Sequence, residues 1–286
     1  MARELSRCES IERSLIKKFR KELWRPFIAA VRRYEMVQAG DKIAVCISGG
    51  KDSMLLAKLM QELQRHSDVP FELEFLVMDP GYHPVNRARL ENNAEILELP
   101  VKIFHSDVFE VAEKAYRNPC YLCARMRRGF LYDRAQELGC NKIALGHHFN
   151  DVIETTVMGM FYGAQLQGMM PKLHSRNFPG MELIRPMYLI HEDDILHWCR
   201  YNDLSFLQCA CRFTEKRDES MDGVGESKRQ EIKLLLRTLK KDNPDIEKSI
   251  FRAIHAVSVD TMPGVKWHGE AHSFLEYYDR LAPDGE

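Results

Sequence analysis

The segment 43–53, IAVCISGGKDS, constrains the fold of this chain more than any other part of the sequence. Its apolar residues lead into the turn SGGKDS at 48–53, and the following MLLAKLMQELQ has the apolar spacing of a helix. A buried strand, a glycine turn and a helix N-terminus together direct backbone N–H groups and the positive end of the helix dipole toward one place. Ser48 and Ser53 add hydroxyls, and Lys51 adds a cation. The segment therefore predicts a phosphate-binding loop.

This loop does not match a Walker A motif. Val45 stands where that motif has its first glycine, and Asp52 follows the lysine where the motif requires Ser or Thr. The string SGGKDS, placed between a strand and a helix, resembles instead the PP-loop of the ATP pyrophosphatases. Enzymes of that group cleave ATP between its α and β phosphates and adenylate a substrate, and the resemblance implies this reaction class here.

Strand and helix patterns alternate after the loop. Strand patterns at 71–79, 101–107 and 142–148 are separated by helical ones, which predicts an α/β fold with a doubly wound parallel sheet. Such a sheet binds ligands beyond the carboxyl ends of its strands. We therefore expect the SGGKDS loop, Met78 with Asp79, and the residues 146–148 to line one cleft.

Helical additions flank the predicted sheet, and we expect three parts. Residues 1–40 form a basic N-terminal helical extension, with a helix over 9–37 that Pro26 can kink. Residues 41–215 form the PP-loop ATP-binding domain with a cysteine cluster site, and 216–286 form C-terminal helices and an acidic tail. The tail from Asp260 is polar and contains glycine, so we expect it to be loosely ordered.

The sequence also indicates a compartment. It has no run of about eighteen apolar residues that could span a membrane, and MARELSRCES lacks the apolar core of a signal peptide. We therefore expect a cytoplasmic protein without membrane contact, whose eight cysteines are not paired in disulfides. Cys46, Cys140 and Cys199 lie in apolar runs and are expected to be buried, whereas Cys8 is expected to be exposed.

Charge is distributed unevenly along the chain. The formal net charge of −1 argues against a protein that coats nucleic acid indiscriminately. Two segments are nevertheless basic, and each is either an RNA-contacting face or a solvated surface. The first lies in the N-terminal extension and contains Arg13, Lys17, Lys18, Arg20, Lys21, Arg25, Arg32 and Arg33; the second contains Arg125, Arg127 and Arg128.

Two close cysteine pairs, Cys120 with Cys123 and Cys209 with Cys211, need a different explanation from the buried thiols. A Cys-x-x-Cys turn lets two thiolates share a metal or a cluster, and nearby arginines favour the thiolate form. A thioredoxin-type redox pair conflicts with the predicted PP-loop. A zinc site with four cysteines and an iron–sulfur cluster with three cysteines both remain open.

From about residue 36 to 211 the chain resembles the tRNA 2-thiocytidine biosynthesis family of PP-loop enzymes. The resemblance rests on SGGKDS, CYLCARMRRGFLYDRAQELG, KIALGHH, MFYG, PKL at 171–173 and IRP at 184–186. It implies an ATP-dependent tRNA thiolase that adenylates an anticodon-loop cytidine and replaces its C2 oxygen by sulfur. It also implies a [4Fe-4S] cluster on Cys120, Cys123 and Cys209, with Cys211 as the alternative third ligand.

The resemblance further implies a set of site residues and partners. Lys51, Asp52 and Asp151 would be catalytic, and both carboxylates are candidates for Mg²⁺. ATP would contact Cys46, Ser48, Gly49, Gly50, Lys51, Asp52, Ser53, Met78, Gly146 and Asp151. The expected partners are tRNA and a sulfur donor such as a cysteine desulfurase, and a homodimer is one expected assembly.

Two departures from the family pattern leave the exact substrate open, and other functions are separate alternatives. The later cysteine pair is Cys-x-Cys instead of Cys-x-x-Cys, and Asn150 stands where the first of two acids is common. One alternative is a PP-loop ligase that transfers nitrogen, such as a lysidine synthetase or a small-molecule amidating enzyme. Others are a thiolase with a different nucleoside target and a nucleotide-sensing module that does not release pyrophosphate.

Overall fold

A six-stranded sheet forms the centre of the fold. The structure, a computed structural model, describes residues 4–106, 108, 119–207, 224–276 and 278. The strand order is β3-β2-β1-β4-β6-β5, and all neighbours are parallel except β5, which runs antiparallel to β6. The strands are β1 Lys42–Ile47, β2 Glu72–Asp79, β3 Val101–His105, β4 Lys142–Ala144, β5 Lys172–His174 and β6 Glu182–Ile184.

Helices cover both faces of this sheet, which confirms the predicted doubly wound α/β fold. Ile43, Val45 and Ile47 of β1 pack into the larger core, whereas Ala44 and Cys46, which alternate with them, pack into a second core on the opposite face. The helices are α1 Arg7–Arg13, α2 Arg25–Arg33, α3 Lys51–His66, α4 Pro84–Ile96, α5 Pro119–Glu137, α6 Phe149–Gly163, α7 Glu192–Tyr201, α8 Val224–Asp242 and α9 Ile246–Ala253.

The N-terminal extension is helical but not uniformly α-helical. Ser6 caps α1 in a capping box with Glu9, and two π-helical turns, Ser14–Lys18 and Arg20–Trp24, separate α1 from α2. Pro26 lies in the first turn of α2, where its missing N–H costs no helical hydrogen bond. The helix ends at Arg33, short of the predicted residue 37.

Cys8 is buried, and its predicted exposure is wrong. Only 3% of its surface is accessible, because it lies on the face of α1 that packs on α3. Lys58 of α3 is completely buried, and its Nζ lies 3.4 Å from Cys8 Sγ and 2.5 Å from Glu12 Oε1. Burial raises the pKa of the Cys8 thiol to about 11. Cys46, Cys140 and Cys199 are buried free thiols, as predicted.

The C-terminal tail is more ordered than the sequence suggested. A short 3₁₀ turn, Val259–Thr261, leads to an antiparallel hairpin of β7 Gly264–Trp267 and β8 Glu270–Ser273, followed by a second 3₁₀ turn, Phe274–Glu276. His268 and Gly269 join the two strands with φ values of 51° and 91°, the backbone of a tight two-residue hairpin turn. The expectation of a loose tail is therefore wrong for these residues.

The described helices were also assessed as membrane spans. Within the ranges that the structure covers, no helix combines the length and the apolarity that crossing a bilayer requires.

Candidate functional site

The predicted strand ends do converge on one cleft, a cavity of about 430 Å³. It is lined by the loop after β1, by the end of β2, by the residues after β4 and by parts of α5, α6 and α8. Of the predicted nucleotide contacts, the lining includes Cys46, Ser48, Gly50, Asp52, Ser53, Met78, Gly146 and Asp151. It also contains His147 and three arginines, Arg127, Arg128 and Arg229.

Lys51 and Gly49 are not among the residues that line this cleft. Lys51 borders a second cavity of about 700 Å³ on the other side of the loop, together with Arg200 of α7. Ser48, Gly50 and Asp52 line both cavities. The loop is therefore a partition between two cavities, and its lysine lies on the side away from Asp151.

Internal hydrogen bonds hold the loop in shape. Ser48 N–H donates to Ser53 Oγ at 3.1 Å, and Ser53 Oγ donates to the Gly50 carbonyl at 2.9 Å. Helix α3 begins immediately afterwards at Lys51, with Gly50 as its N-cap in an extended conformation. The free N–H groups of this helix start therefore face the loop, as a phosphate site requires.

At two positions, neighbouring atoms lie so close to the backbone that only glycine fits. A Cβ on Gly49 would lie 2.7 Å from Leu207 Cδ1, and its φ of +83° is left-handed. A Cβ on Gly146 would lie 3.1 Å from the backbone carbonyl of Asp52. Gly146 thus lets the β4 end pack directly on the start of α3, which brings Asp52 and the histidine segment together.

Lys51 is neutralised by two carboxylates. Its Nζ lies 3.0 Å from Asp52 Oδ2 and 3.3 Å from Glu192 Oε1, and Glu192 Oε2 in turn lies 2.6 Å from Lys233 Nζ. Burial alone would raise the pKa of Glu192, but the hydrogen bond from Lys233 and the charge of Lys51 lower it to about 2. Sequence reasoning missed Glu192 and Lys233, because acids at a helix start and lysines in an amphipathic helix are common.

Asp151 lies at the centre of a second ion-pair group. It accepts from the His148 backbone N–H at 3.0 Å through Oδ2, and its Oδ1 lies 2.5 Å from Arg229 Nη2. Burial alone would raise the pKa of Asp151, but the charge and backbone N–H of His148 and the charge of Arg229 hold it below its usual value. The carboxylate is therefore ionised at neutral pH.

Asp52 carries the polar atom best suited to a metal ion. Its Oδ1 is buried and has no hydrogen-bond partner in the part of the chain that the structure describes, and it lies 3.8 Å from His148 Nε2. Mg²⁺ prefers carboxylate oxygens completed by water and phosphate. The described residues include no group of three or more His, Cys, Asp or Glu that could hold a metal ion. Asp52 therefore offers this oxygen to a Mg²⁺ whose other ligands would include phosphates and water.

His147 is a neutral side chain at this site. Burial, together with the charge of Arg185, lowers its pKa from 6.5 to about 4. Its Nδ1 is buried without a hydrogen-bond partner in the described structure. The imidazole can therefore accept or donate a hydrogen bond to a ligand at neutral pH without carrying a charge.

Asn150 has a structural explanation for its departure from the two-acid pattern. Its Oδ1 accepts from the backbone N–H of Glu192 at 2.9 Å, and its Nδ2 donates to Glu247 Oε1 at 3.3 Å. An aspartate could not donate to the buried Glu247 and would repel it. Asn150 therefore joins α6 to α7 and α9, and it is not among the residues that line the cleft.

Asp79, at the end of β2, shapes its own turn. It accepts from the backbone N–H groups of Gly81 and Tyr82 at 2.9 and 2.8 Å, and Arg87 Nη1 lies 2.5 Å from its other oxygen. Tyr82 donates to the Ser48 carbonyl at 3.3 Å. Asp79 thereby fixes the turn after β2 against the loop, and Met78 is the residue that reaches the cleft.

The cysteine pairs can be placed only in part. Cys120 and Cys123 lie in the first turns of α5, although their side chains are not described, and Cys209 and Cys211 lie outside the described residues. The same helix contributes Arg127 and Arg128 to the cleft. Leu207, which precedes Cys209 by two residues, donates its backbone N–H to the Gly49 carbonyl at 3.1 Å. The chain is thus close to the loop two residues before Cys209, and thiolates are the donors that an iron–sulfur cluster requires.

Comparison with known proteins places the chain in a family. A family model described as a PP-loop domain matches residues 16–211. The chain is 33% identical over 229 residues to a tRNA-cytidine(32) 2-sulfurtransferase of Geotalea uraniireducens, covering 79% of this chain and 87% of that protein. It is 34% identical over 257 residues to the enzyme of that name from Delftia acidovorans, covering 88% and 78%.

A solved structure shares the fold. The U34-tRNA thiolase NcsA from Methanococcus maripaludis, determined with its [4Fe-4S] cluster, aligns with a TM-score of 0.64 at 20% identity. The alignment covers 92% of this chain and 89% of that one. With the family match over most of the chain and relatives above 30% identity, the chain belongs to the PP-loop domain family and, within it, to the tRNA-cytidine(32) 2-sulfurtransferases.

Proposed function

We propose that this chain is an ATP-dependent tRNA thiolase that replaces the C2 oxygen of cytidine 32 by sulfur. The observation that carries the proposal is the cleft itself. One cavity is lined by the PP-loop, by Asp52 and Asp151, and by two arginines of the helix in which Cys120 and Cys123 lie. The cleft thus offers a site for ATP phosphates beside the helix that contains Cys120 and Cys123, in a chain whose relatives are named for this reaction.

The chemistry needs activation because the C2 oxygen of cytosine is a poor leaving group. In the first step this oxygen attacks the α-phosphorus of ATP, and pyrophosphate leaves with the electrons of the broken P–O bond. Sulfide then attacks C2 with its own electron pair, and AMP leaves with the original oxygen and the electron pair of the broken C–O bond. The protein must neutralise phosphate charge and position the base for both steps.

The loop residues hold the phosphates in this proposal. Backbone N–H groups of Gly49, Gly50 and Lys51 and the hydroxyls of Ser48 and Ser53 bind phosphate oxygens, and the Lys51 ammonium adds charge from the second cavity. Cys46 and Met78 contribute backbone contacts to the nucleotide. Asp52 and Asp151 would hold Mg²⁺, which would supply positive charge to the phosphates.

Cys120, Cys123 and Cys209 would hold a [4Fe-4S] cluster, with Cys211 as the alternative third ligand. Ligation by three thiolates would leave one iron without a protein ligand, and the cluster would supply that position for sulfide. The arginines of α5 that line the cleft favour the thiolate form of nearby cysteines and attract RNA phosphates.

The proposal includes partners and an arrangement along the chain. The substrate is tRNA, the sulfur comes from a donor such as a cysteine desulfurase, and the enzyme acts in the cytoplasm, where tRNA and ATP are available. A homodimer is one proposed assembly, and both of its active sites must remain open to tRNA. The parts 1–40, 41–215 and 216–286 are proposed as an RNA-contacting extension, the catalytic domain and a C-terminal helical region.

An assay with defined components tests the function. The anaerobically reconstituted protein is incubated with tRNA, ATP, Mg²⁺ and sulfide, and the digested tRNA is examined by nucleoside mass spectrometry. We expect 2-thiocytidine at position 32, with one pyrophosphate and one AMP released per sulfur inserted. Pyrophosphate release that depends on ammonia or lysine, without 2-thiocytidine, would identify a nitrogen-transferring ligase instead.

A further inference from the structure

We propose that Arg229 binds the phosphates of ATP, so that the C-terminal helix α8 completes the nucleotide site. The inference rests on the proposed function, since it takes ATP as the ligand of the cleft. Arg229 lines the same cavity as Ser48, Gly50 and Asp52 of the loop. It lies beyond residue 211, where the match to the PP-loop domain model ends.

Two carboxylates of α6 orient the Arg229 side chain. Its Nε donates to Glu154 Oε2 at 3.0 Å and its Nη2 donates to Asp151 Oδ1 at 2.5 Å. Glu154 and Asp151 lie one helical turn apart, so together they hold the Nε–Nη2 edge of the planar guanidinium. The guanidinium carries more N–H donors than these two contacts use. The remaining donors are available to a phosphate without breaking either ion pair.

Packing fixes the position of the helix that carries Arg229. Ile232 and Leu236 of α8 are buried against Phe149, Ile153 and Val157 of α6. Arg229, Ile232 and Leu236 recur at the three- and four-residue spacing of one helix face. The guanidinium therefore extends into the cleft from a packed helix and not from a loop.

The distribution of charge in the cleft favours a phosphate at Arg229. Lys51 borders the second cavity and is not among the residues that line the cleft. Within the cleft, the loop side thus presents backbone N–H groups and the Asp52 carboxylate but no lysine ammonium. A polyphosphate needs cationic donors there, and arginine suits it because its planar fork can bind two phosphate oxygens at once.

Ligand affinities measured on the full chain test this role. Isothermal titration calorimetry gives Kd for ATP, pyrophosphate and adenosine with the wild type, Arg229→Gln, Arg229→Lys and Arg237→Gln. Arg237 is the matched control, since it is exposed on the same helix and is not among the residues of the cavity. We expect Arg229→Gln to weaken ATP and pyrophosphate about tenfold to a hundredfold, the usual effect of losing a charged hydrogen-bond donor, with adenosine unchanged.

The pattern across ligands separates binding from structure. Arg229→Lys keeps the positive charge but loses the planar guanidinium, so its ATP affinity should lie between those of the wild type and Arg229→Gln. If Arg229→Gln does not fold, the ATP and adenosine affinities of Arg229→Lys test the phosphate contact. Two results would contradict the proposal: wild-type affinity for ATP and pyrophosphate in both variants, or equal losses of affinity for ATP and adenosine. Either result would mean that Arg229 only links α8 to α6. In that case the proposed function stands, whereas a wild-type protein that binds no ATP contradicts the function itself.

Discussion

The backbone N–H of Leu207 donates a hydrogen bond of 3.1 Å to the carbonyl oxygen of Gly49. This bond joins the phosphate loop to the chain two residues before Cys209. The Leu207 side chain also covers Gly49, leaving no room for a Cβ. The contact explains why the loop needs glycine at this position, and it connects the nucleotide site to the start of the later cysteine segment.

The two loop glycines should respond differently to alanine. Gly49→Ala introduces a Cβ 2.7 Å from Leu207 Cδ1 at a φ of +83°, so we expect a loss of about 1–3 kcal/mol in the free energy of unfolding. Gly50→Ala meets its nearest atom at 3.5 Å without positive φ and should cost less than about 1 kcal/mol. Urea titrations of both variants measure this difference. Equal losses would show that Leu207 does not constrain the loop.

Pyrophosphate release should depend on Lys51 and Asp52. Lys51→Ala or Asp52→Ala should abolish ATP-dependent pyrophosphate release while the protein stays folded, since a side-chain change on this partly exposed loop costs little stability. A coupled pyrophosphate assay and a circular dichroism spectrum measure the two properties. Lys248→Ala, which removes an exposed lysine paired with Asp245, is the control. Full release by Lys51→Ala would remove that residue from the mechanism.

The cysteine ligands can be identified by substitution. We expect Cys120→Ala, Cys123→Ala and Cys209→Ala each to prevent binding of an oxygen-sensitive [4Fe-4S] cluster, and Cys211→Ala to retain it. Two thiolates separated by one residue share a single metal tetrahedron poorly, whereas one of them can serve a cluster corner. Iron and sulfide are measured after anaerobic reconstitution.

The outcomes of this series are distinct. Cluster loss in Cys211→Ala with retention in Cys209→Ala would move the third ligand to Cys211. Bound zinc that depends equally on all four cysteines would contradict the cluster and the sulfur-carrier role.

Affinity for tRNA should depend on two basic regions at opposite ends of α3. Arg127 and Arg128 line the cleft near the start of α3. Arg20, Arg25 and Arg32 line a groove that also contains His66, the last residue of α3. A helix of this length, Lys51–His66, spans about 24 Å, so a bound tRNA would have to extend over both regions. Affinity should fall steeply as salt rises, because phosphate contacts release counterions.

Charge removal in each region distinguishes their roles. Changing Arg20, Arg25 and Arg32 to glutamine should weaken tRNA binding and its salt dependence without changing ATP affinity. The double variant of Arg127 and Arg128 should weaken tRNA binding as well as thiolation of the bound tRNA. Filter binding across a salt series measures the slope, and a salt-independent affinity would mean that both basic faces are only solvated.

Stability should fall in mild acid through His147. Its pKa is about 4 in the folded protein against 6.5 ordinarily, so between these values the unfolded chain binds more protons than the folded one. The free energy of unfolding should therefore decrease as pH falls from about 6.5 to 4, by at most about 3 kcal/mol from this group. Urea titrations at several pH values should show a smaller decrease for His147→Asn. Parallel pH profiles of variant and wild type would exclude His147 as the cause.

Much of the fold follows from local features of the sequence. The SGGKDS turn between a strand and a helix predicts the phosphate loop, and the alternation of strand and helix patterns predicts a parallel sheet with helices on both faces. The convergence of Met78, Gly146 and the loop then follows from topology, because parallel strands end at the same edge of the sheet. The C-terminal hairpin and the burial of Cys8 were not predicted. A polar composition does not reveal a two-residue turn at His268 and Gly269, and an amphipathic helix does not reveal which of its faces will meet Lys58.

The charge arrangement of the site was decided by tertiary structure alone. Lys51 is paired with Glu192, Asp151 with Arg229, and Glu192 with Lys233, and each partner lies far away in the sequence. Periodicity and motif spacing describe neighbours along the chain, so they identify Lys51 and Asp151 as chemically capable groups. Which cation or carboxylate reaches them depends on how α7 and α8 pack against the sheet. The loop is predicted by its local motif, and the reaction class by the family that this motif resembles. The packing of α8 on α6 instead brings Arg229 to the same cleft, because contacts between distant helices are not encoded in local spacing.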